Sequence, residues 1–551
     1  MLEESSIVDL GKHLLDRDQV VHPCESIDAI PGSLAFRIDH STAFRWRDEL
    51  PYELPTPEAL NMLADSYFNS VNWFMMVVDQ SKFRARSSRA LANEYMRTAD
   101  RNFVYLMSLI WGLGAHYLWT NPATSSSIPI PASLLAEMMK VVDVAYSRIM
   151  ASPTLETVQI AILLGSFHLF NGLPYLGFAI IGSGVRCAQG IGLHRQPRTS
   201  STEESCLVWW ALEICDKYAA VAFGLPCGVD DSDCDVPEIN DKDNFGDLRP
   251  TSQSHNPMSP LTYHKLKGRL YRIMGPFLGR KRQTNQLRGL LHVRQELKDW
   301  HASVPDWLKC GTDSPEFNRR PVQVQVQAIA LQVAYDNLSM VLFRQAVFPK
   351  NMREDQDLQY HQAEGIRQLS ESAIRTASIS AFAASRLICQ SSHAAMHVAI
   401  CSFTAGVILS LMIASQPNNP ESSTWLGSLK SIISLFEQFP SQNYRLATQS
   451  LRLLKALEIR VDPQIAQASG EDIGPSNSHA LLDPTEDDLG HVQHAAVLGH
   501  DNDTTSAANN LLEFNFGDLG FSSSAGGPLD DVGQLWLWDD LSNEDWMSNF
   551  Q

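Results

Sequence analysis

Apolar residues recur every three or four positions through residues 56–460, which is the spacing of one face of an α-helix. One such set is Ile180, Gly184, Cys187 and Ile191. No alternation of apolar and polar residues in this region is long enough to indicate a β-strand. The pattern therefore predicts an all-α fold, in which residues 56–460 form one large domain of antiparallel helices.

Two of the predicted helices adjoin each other within the stretch 176–237. Gly190 and Gly192 follow the first helix and offer places where the chain can leave it in a left-handed conformation. The second helix is amphipathic, and its apolar face carries Leu207, Trp210 and Ile214. Because only a short segment joins them, we expect the two helices to pack as a hairpin.

Other helices carry their own signals. Thr56 is a candidate N-cap, and Pro57 occupies the first position of the helix that follows. Residues 394–415 form the most apolar window of the chain and are long enough to span a membrane. His397 and Ser402 interrupt this window, and no basic flank adjoins it. We therefore predict a helix that lies inside a large helical domain and is buried on all of its sides.

A further helical stretch is basic. Residues 262–300 contain ten Lys and Arg against two acidic residues, while its apolar positions include Leu266 and Leu270. We interpret the basic side as a face exposed to solvent. The alternative is that Arg280, Lys281 and Arg282 form a nuclear import patch or contact phosphate.

The negative charge of the chain is concentrated at one end. The net charge is −19, and residues 461–551 contain 17 Asp and Glu but no Lys or Arg. Residues 1–460 hold the remaining 45 acidic residues and all 43 basic ones, so this part is nearly neutral. An acidic segment repels nucleic-acid phosphates, so its expected partner is a protein.

The acidic end divides into two parts. Residues 461–510 have few large apolar groups and cannot offset their ordering entropy, so we predict a disordered linker. In residues 511–551 carboxylates alternate with large apolar side chains, which is typical of transcriptional activation segments. These side chains are Leu511, Leu512, Phe514, Phe516, Leu519, Phe521, Leu535, Trp536, Leu537, Trp538, Leu541, Trp546 and Phe550.

We expect this segment to bind a coactivator groove, or the general transcription machinery, as a transient amphipathic helix. The alternative is a latch that docks the segment on the helical domain. The uncompensated negative charges of the segment favour activation, because they oppose tight docking on a nearly neutral body.

Nothing in the sequence indicates an enzyme. No H-E-x-x-H motif, P-loop or G-x-S-x-G motif in helical context is present, so no catalytic or cofactor-binding residue is assigned. Cys227 and Cys234 lie near three aspartates, but this ligand mixture matches no usual zinc pattern. His168, His194 and His397 are interpreted as core histidines. Nine scattered cysteines and the absence of signal-peptide character after Met1 indicate a reducing compartment.

The stretch 176–237 resembles the signature of the fungal-specific transcription factor domain, which is the regulatory region of fungal zinc-cluster transcription factors. That signature combines a helix ending in Gly-Leu-His-Arg, a Trp-Trp helix with a later Asp, and a Gly-x-Pro turn before an Asp-rich segment. The matching residues are Gly182, Arg186, Ala188, Gly192, Leu193, His194, Arg195, Trp209, Trp210, Asp216, Gly224, Pro226, Asp233 and Asp235. Gly177, Gly184 and Leu225 depart from the usual Trp, Ala and Arg.

The resemblance implies a nuclear regulator that activates a fungal metabolic or biosynthetic gene set. It also implies a DNA-binding cluster in which six cysteines hold zinc, but Cys24 is the only cysteine before position 187. Zinc and DNA contact are therefore expected only through a missing module or a partner protein. A homodimer and a small-molecule effector are compatible with this interpretation, and no membrane is involved. The alternative is a ligand-sensing helical co-regulator without DNA binding of its own.

These inferences divide the chain into four parts. Residues 1–55 are an irregular lead-in, and residues 56–460 are the regulatory domain. Residues 461–510 are the linker, and residues 511–551 are the acidic and aromatic activation segment.

Overall fold

The computed structural model describes residues 43–121, 130–195, 203–223, 226–238, 260–278, 286–311, 315–347, 356–440 and 444–462. Helices dominate these residues, which confirms the all-α prediction. The α-helices are Pro57–Tyr67 (α1), Gln80–Ala92 (α2), Arg101–Thr120 (α3), Ala132–Ala151 (α4), Leu155–Phe170 (α5), Pro174–Gly190 (α6), Glu203–Phe223 (α7), Pro260–Leu278 (α8), Gln286–Ser303 (α9), Pro315–Arg319 (α10), Val322–Val347 (α11), Gln356–Ser378 (α12), Ala383–Ser391 (α13), Ala395–Ser415 (α14), Ser422–Phe436 (α15) and Arg445–Val461 (α16). The predicted activation segment lies outside the described residues.

The structure also contains a small antiparallel sheet that the sequence did not predict. Ala43–Arg45 (β1) pairs with Tyr95–Arg97 (β2). Trp46 follows β1 and is fully buried, and its Nε1 donates a hydrogen bond to the carbonyl oxygen of Asn93 at 2.8 Å. Strands of three residues are too short to show the alternation that identifies a strand in sequence.

Helix α1 begins as its sequence signals predict. The side chain of Thr56 accepts a hydrogen bond from the backbone N–H of Ala59 at 3.3 Å, and Pro57 is the first helical residue. Proline is favourable there because its missing N–H would have no partner inside the helix.

Helix α6 packs on α5 through glycines. A Cβ atom at Gly184 would lie 2.6 Å from Cβ of Ala161, and one at Gly177 would lie 2.5 Å from the carbonyl oxygen of Gly165. Both distances are too short for real contacts. The two departures from the family signature on α6 therefore have a physical reason, since the larger Ala and Trp would separate the helices.

The end of α6 partly corrects the prediction. Gly192 has φ of +80° and takes the left-handed position, whereas Gly190 is still helical. The N–H of Leu193 donates to the carbonyl oxygen of Ala188 at 2.9 Å, which closes a Schellman motif. Ile191, predicted to be buried with Ile180, is instead 36% exposed because the helix has already ended.

Helix α14 confirms the prediction of a buried core helix. Within this helix only Thr404, Leu411 and Ala414 are half-buried, and every other residue is buried. Helices α11 and α14 both have the length and hydropathy of a membrane span, but 94% and 78% of their apolar windows are buried inside the protein. The buried apolar residues of the described chain join into one continuous cluster.

Candidate effector cavity and the signature residues

A cavity of about 40 Å³ lies where separate parts of the chain meet. Its walls come from the segment 74–76, from helices α5, α6, α7 and α8, and from His397 of α14. Because about 10–15 Å³ already suffices for one water molecule, this cavity has room for a small organic group. Most of its lining is apolar. The polar side chains in the wall are those of Ser166, Cys215, Tyr218, His264, Lys267, Tyr271 and His397.

Lys267 brings a buried amine to this cavity. Its side chain is almost fully buried on α8, whose basic side was expected to face solvent. Its Nζ donates a hydrogen bond to the carbonyl oxygen of Phe74 at 3.2 Å and lies 3.5 Å from the centroid of the Phe74 ring. Among the described residues no carboxylate pairs with it. Burial lowers the pKa of Lys267 from 10.5 to about 7.

Two polar atoms in the cavity wall have no hydrogen-bond partner in the described part of the chain. Oη of Tyr218 and Nε2 of His264 are buried and make no hydrogen bond within the described part of the chain. Burial lowers the pKa of His264 to about 3 and raises that of Tyr218 well above 10. Both side chains are therefore neutral, and both keep unused hydrogen-bonding capacity.

Both ring nitrogens of the neighbouring His393, by contrast, make hydrogen bonds. His393 bonds to Oη of Tyr117 at 2.6 Å through Nδ1 and to Oγ of Ser166 at 2.9 Å through Nε2. Because Ser166 donates its own hydrogen to the carbonyl oxygen of Leu163, it must accept from His393, so Tyr117 is the donor to Nδ1. Burial lowers the pKa of His393 to about 3, which fits this neutral state.

The three histidines singled out from the sequence occupy core or half-buried positions. Nε2 of His397 donates to the carbonyl oxygen of Ala330 at 3.3 Å, and His168 lies 2.7 Å from a carboxylate oxygen of Asp143. These two are satisfied core histidines, as predicted. His194 is only half-buried, and its ring lies 6.1 Å from that of Trp209.

Trp210 of the signature lies in the cavity wall and packs against α8. Its ring lines the cavity, and its Nε1 donates to the carbonyl oxygen of Pro237 at 3.0 Å. The guanidinium carbon of Arg272 lies 3.7 Å from the ring centroid. A Cβ at Gly268 would come within 2.6 Å of the same ring, so the close approach of α8 requires glycine at this position.

A buried ion network holds the Asp-rich segment of the signature against α7 and α8. Glu213 accepts hydrogen bonds from Lys217 at 2.9 Å and from Arg272 at 2.8 Å, and Lys217 also donates to Asp231 at 2.6 Å. Burial raises the pKa of Glu213, but the hydrogen bond from Arg272 and the charge of Lys217 outweigh it and bring the pKa below its usual range. Sequence reasoning missed this network, although the spacing of Glu213 and Lys217 is that of a helical ion pair.

Asp216 anchors the turn after α7. One of its carboxylate oxygens accepts hydrogen bonds from the backbone N–H groups of Gly228 at 2.8 Å and Val229 at 2.9 Å. Burial raises the pKa of Asp216, while the two backbone hydrogen bonds act in the opposite direction. The signature Asp is therefore a structural acceptor for the segment that follows.

The remaining signature residues divide between core and surface. Trp209 and Ala188 are buried, and the backbone N–H of Asp235 donates to the carbonyl oxygen of His194 at 3.2 Å, which joins the two ends of the signature. The other residues lie at or near the surface or outside the described residues. Gly182 is half-buried with open space around it, Arg186, Arg195, Pro226 and Asp233 are exposed, and Gly224 is not among the described residues.

The sulfur atoms near the Asp-rich turn do not form a metal-binding group in the described part of the chain. Sγ of Cys234 lies 3.2 Å from the carbonyl oxygen of Asp230, and burial raises the pKa of Cys234 to about 11. Within the described ranges no three His, Cys, Asp or Glu residues are placed to hold a metal ion.

Comparison with known proteins matches this region to one family. Residues 64–302 match the model of the fungal specific transcription factor domain. An uncharacterised transcriptional regulatory protein of Schizosaccharomyces pombe is 24% identical over 266 residues, which cover 47% of this chain and 40% of that protein. A second one from the same organism is 21% identical over 54% of this chain and 37% of its own length.

A putative transcriptional regulatory protein of Saccharomyces cerevisiae is 24% identical over 161 residues, which cover 27% of this chain and 21% of that protein. The chain thus spans about two fifths or less of the length of these curated relatives. The signature residues and the helices that carry them lie inside the matched region. Residues 64–302 are a fungal specific transcription factor domain.

Proposed function

We propose that this chain is a nuclear regulator of transcription, an activator of a fungal metabolic or biosynthetic gene set, and that its helical domain senses a small effector. The observation that carries the sensing role is the position of Trp210. This residue belongs to the family signature and also forms a wall of the cavity. The match of residues 64–302 and the names of the relatives support the regulatory role.

The acidic and aromatic segment 511–551 supplies the activating contact in this proposal. Its rings bind a coactivator groove, and its carboxylates keep them from collapsing on one another in the free chain. DNA is reached through a module outside this chain or through a partner protein. The related possibility, a co-regulator that senses a ligand and binds no DNA itself, draws support from the same cavity.

A reporter experiment tests the activating role. The full chain is joined to an unrelated DNA-binding domain and the output of its reporter gene is measured. Replacing Trp536 and Trp538 by Ala is expected to reduce output at least tenfold, because aromatic anchors dominate such interfaces. The control replaces His491 and His494 of the linker by Ala and is expected to leave output unchanged.

The latch alternative gives a different result in the same assay. If residues 505–551 alone give no output on the unrelated DNA-binding domain, and the aromatic substitutions leave the output of the full chain unchanged, the segment does not activate. Increased output after the aromatic substitutions would indicate a segment that restrains the domain.

A further inference from the structure

We infer that the cavity binds a small organic acid whose carboxylate pairs with Nζ of Lys267 and whose apolar body lies against Phe74, Trp210 and Ile214. The inference rests on the proposed effector-sensing function and gives that effector a chemical class. The cavity exists only because the fold brings six separated parts of the chain together.

No carboxylate balances the buried charge of Lys267 in the described part of the chain. An ammonium group has three hydrogen-bond donors, and the structure shows one acceptor for Lys267, the carbonyl oxygen of Phe74. The ring of Phe74 offers a second, weaker contact at 3.5 Å. A buried cation without a carboxylate is costly, and an anionic ligand would supply the missing partner.

The buried charges elsewhere in the domain show what such a partner normally looks like. Lys217 is buried to a similar degree, and it donates to Glu213 at 2.9 Å and to Asp231 at 2.6 Å. Lys267 has no such acid among the described residues and lines an open space instead. The space beside Lys267 is where a ligand carboxylate would take the place of those side-chain carboxylates.

The shape and polarity of the cavity wall define the body of the ligand. Most of the lining is apolar, so the body of the ligand is a short aliphatic chain or a single ring. Oη of Tyr218 and Nε2 of His264 are buried in the same wall without hydrogen-bond partners in the described residues, which leaves them available to a ligand oxygen. A neutral apolar ligand would use none of these three groups.

Binding of the acid is expected to take up a proton. At pH 8 the amine of Lys267, with its pKa near 7, is mostly neutral, and a carboxylate beside it favours the charged form. The other titratable groups in this wall are neutral at pH 8 and remain so. Burial holds the pKa of His264 and His397 near 3, raises that of Cys215 to about 12 and raises those of Tyr218 and Tyr271 well above 10.

The test is calorimetric titration of the full chain with hexanoate and with its neutral counterpart hexanamide. Titrations at pH 8 in two buffers of different ionisation enthalpy measure the protons taken up. We expect at least about half a proton to be taken up per hexanoate bound and none for hexanamide. Lys267→Met should weaken hexanoate binding at least tenfold while hexanamide binding stays within twofold. The matched control, Lys298→Met at an exposed position of α9, should change neither.

Several outcomes would overturn the inference. Equal affinity for acid and amide, an unchanged hexanoate affinity in Lys267→Met, or no binding of hexanoate at 10 mM would each do so. The proposed function fails separately. A chain that activates the reporter but binds no acid contradicts this inference alone, whereas a chain that binds hexanoate through Lys267 but drives no reporter contradicts the activating role alone.

Discussion

At the scale of single residues, the two glycines at the end of α6 have different physical roles. Gly192 adopts φ of +80°, a conformation that costs an L-residue with a side chain about 1–2 kcal/mol. Gly190, two positions earlier, is helical, and a Cβ at either position meets no atom within 4 Å. Space is therefore not the constraint at either position, and only the backbone angle of Gly192 requires glycine.

We expect Gly192→Ala to lower the free energy of unfolding by about 1–2 kcal/mol, because alanine is strained at that backbone angle. Gly190→Ala is the matched control and should raise the free energy of unfolding by up to about 1 kcal/mol, since alanine favours a helix. Urea unfolding followed by circular dichroism measures both. Equal effects of the two substitutions would contradict this account of the Schellman motif.

The buried amine of Lys267 makes a second prediction at the residue scale. Lys267→Met should raise the free energy of unfolding at pH 6 by about 1–4 kcal/mol, because an apolar side chain of similar size replaces a buried charge that has no acid beside it. The control Lys298→Met, at an exposed position of α9, should stay within about 0.5 kcal/mol.

The pH dependence of that stability has a definite sign. The pKa of Lys267 is about 7 in the folded chain and near 10.5 in the unfolded chain, so the unfolded chain binds more protons between these values. The contribution of Lys267 to stability should therefore rise with pH from about 7 to 10.5. Chemical unfolding at several pH values would show this rise in the native chain and its loss in Lys267→Met. A rise that persists in the variant would assign the effect to another group.

At the scale of elements, α8 packs against α7, the helix that carries Trp209, Trp210 and Asp216 of the signature. Gly268 lets α8 approach the ring of Trp210, Arg272 stacks on that ring, and Glu213 joins both helices to the Asp-rich segment. Several hydrogen bonds hold the charge that is buried here, so removing one member takes an ionic partner from each of its neighbours.

We expect Glu213→Gln to lower the free energy of unfolding by about 3–5 kcal/mol, because it leaves Lys217 and Arg272 without their shared carboxylate. Glu238→Gln is the matched control. Its carboxylate pairs with Arg269 at the surface, where about half of each side chain is exposed, so the loss should be below about 1 kcal/mol.

Glu213→Gln also tests how the stability of the folded chain depends on pH. The pKa of Glu213 is lowered in the folded chain, so its contribution is present above the unfolded value of 4.5 and is lost as the pH falls through the folded pKa. Thermal unfolding between pH 3 and 7 should show a steeper loss in the native chain than in Glu213→Gln. Parallel curves would show that Glu213 does not contribute to acid sensitivity.

At the scale of the whole molecule, the sequence predicts helices better than it predicts contacts between them. The helix start at Thr56, the buried α14 and the left-handed exit at Gly192 follow from local rules of capping and spacing, and the structure confirms them. The position of Lys267 does not follow from such rules. Basic residues on an amphipathic helix usually face solvent, and only the packing of α8 against the segment 74–76 reverses this.

Burial also predicts which helix is the last to unfold. The backbone amides of α14 should exchange with deuterium at least about a hundredfold more slowly than those of α2, because α14 is enclosed on nearly all sides, whereas α2 buries only Phe83, Ser87 and Ala90. Mass spectrometry of peptides from each helix measures the two rates. Comparable rates would indicate that α14 separates from the rest of the fold before global unfolding.

The contacts of His393 have a practical consequence for how this protein can be dissected. Its backbone N–H donates to the carbonyl oxygen of Ser70 at 3.0 Å, and its ring joins Tyr117 and Ser166. His393, from the last third of the predicted regulatory domain, therefore packs against buried residues of the first third. A recombinant fragment that stops at residue 302, where the family match ends, would uncover those groups and tend to aggregate. The end of a sequence match is here not a place where the polypeptide can be cut.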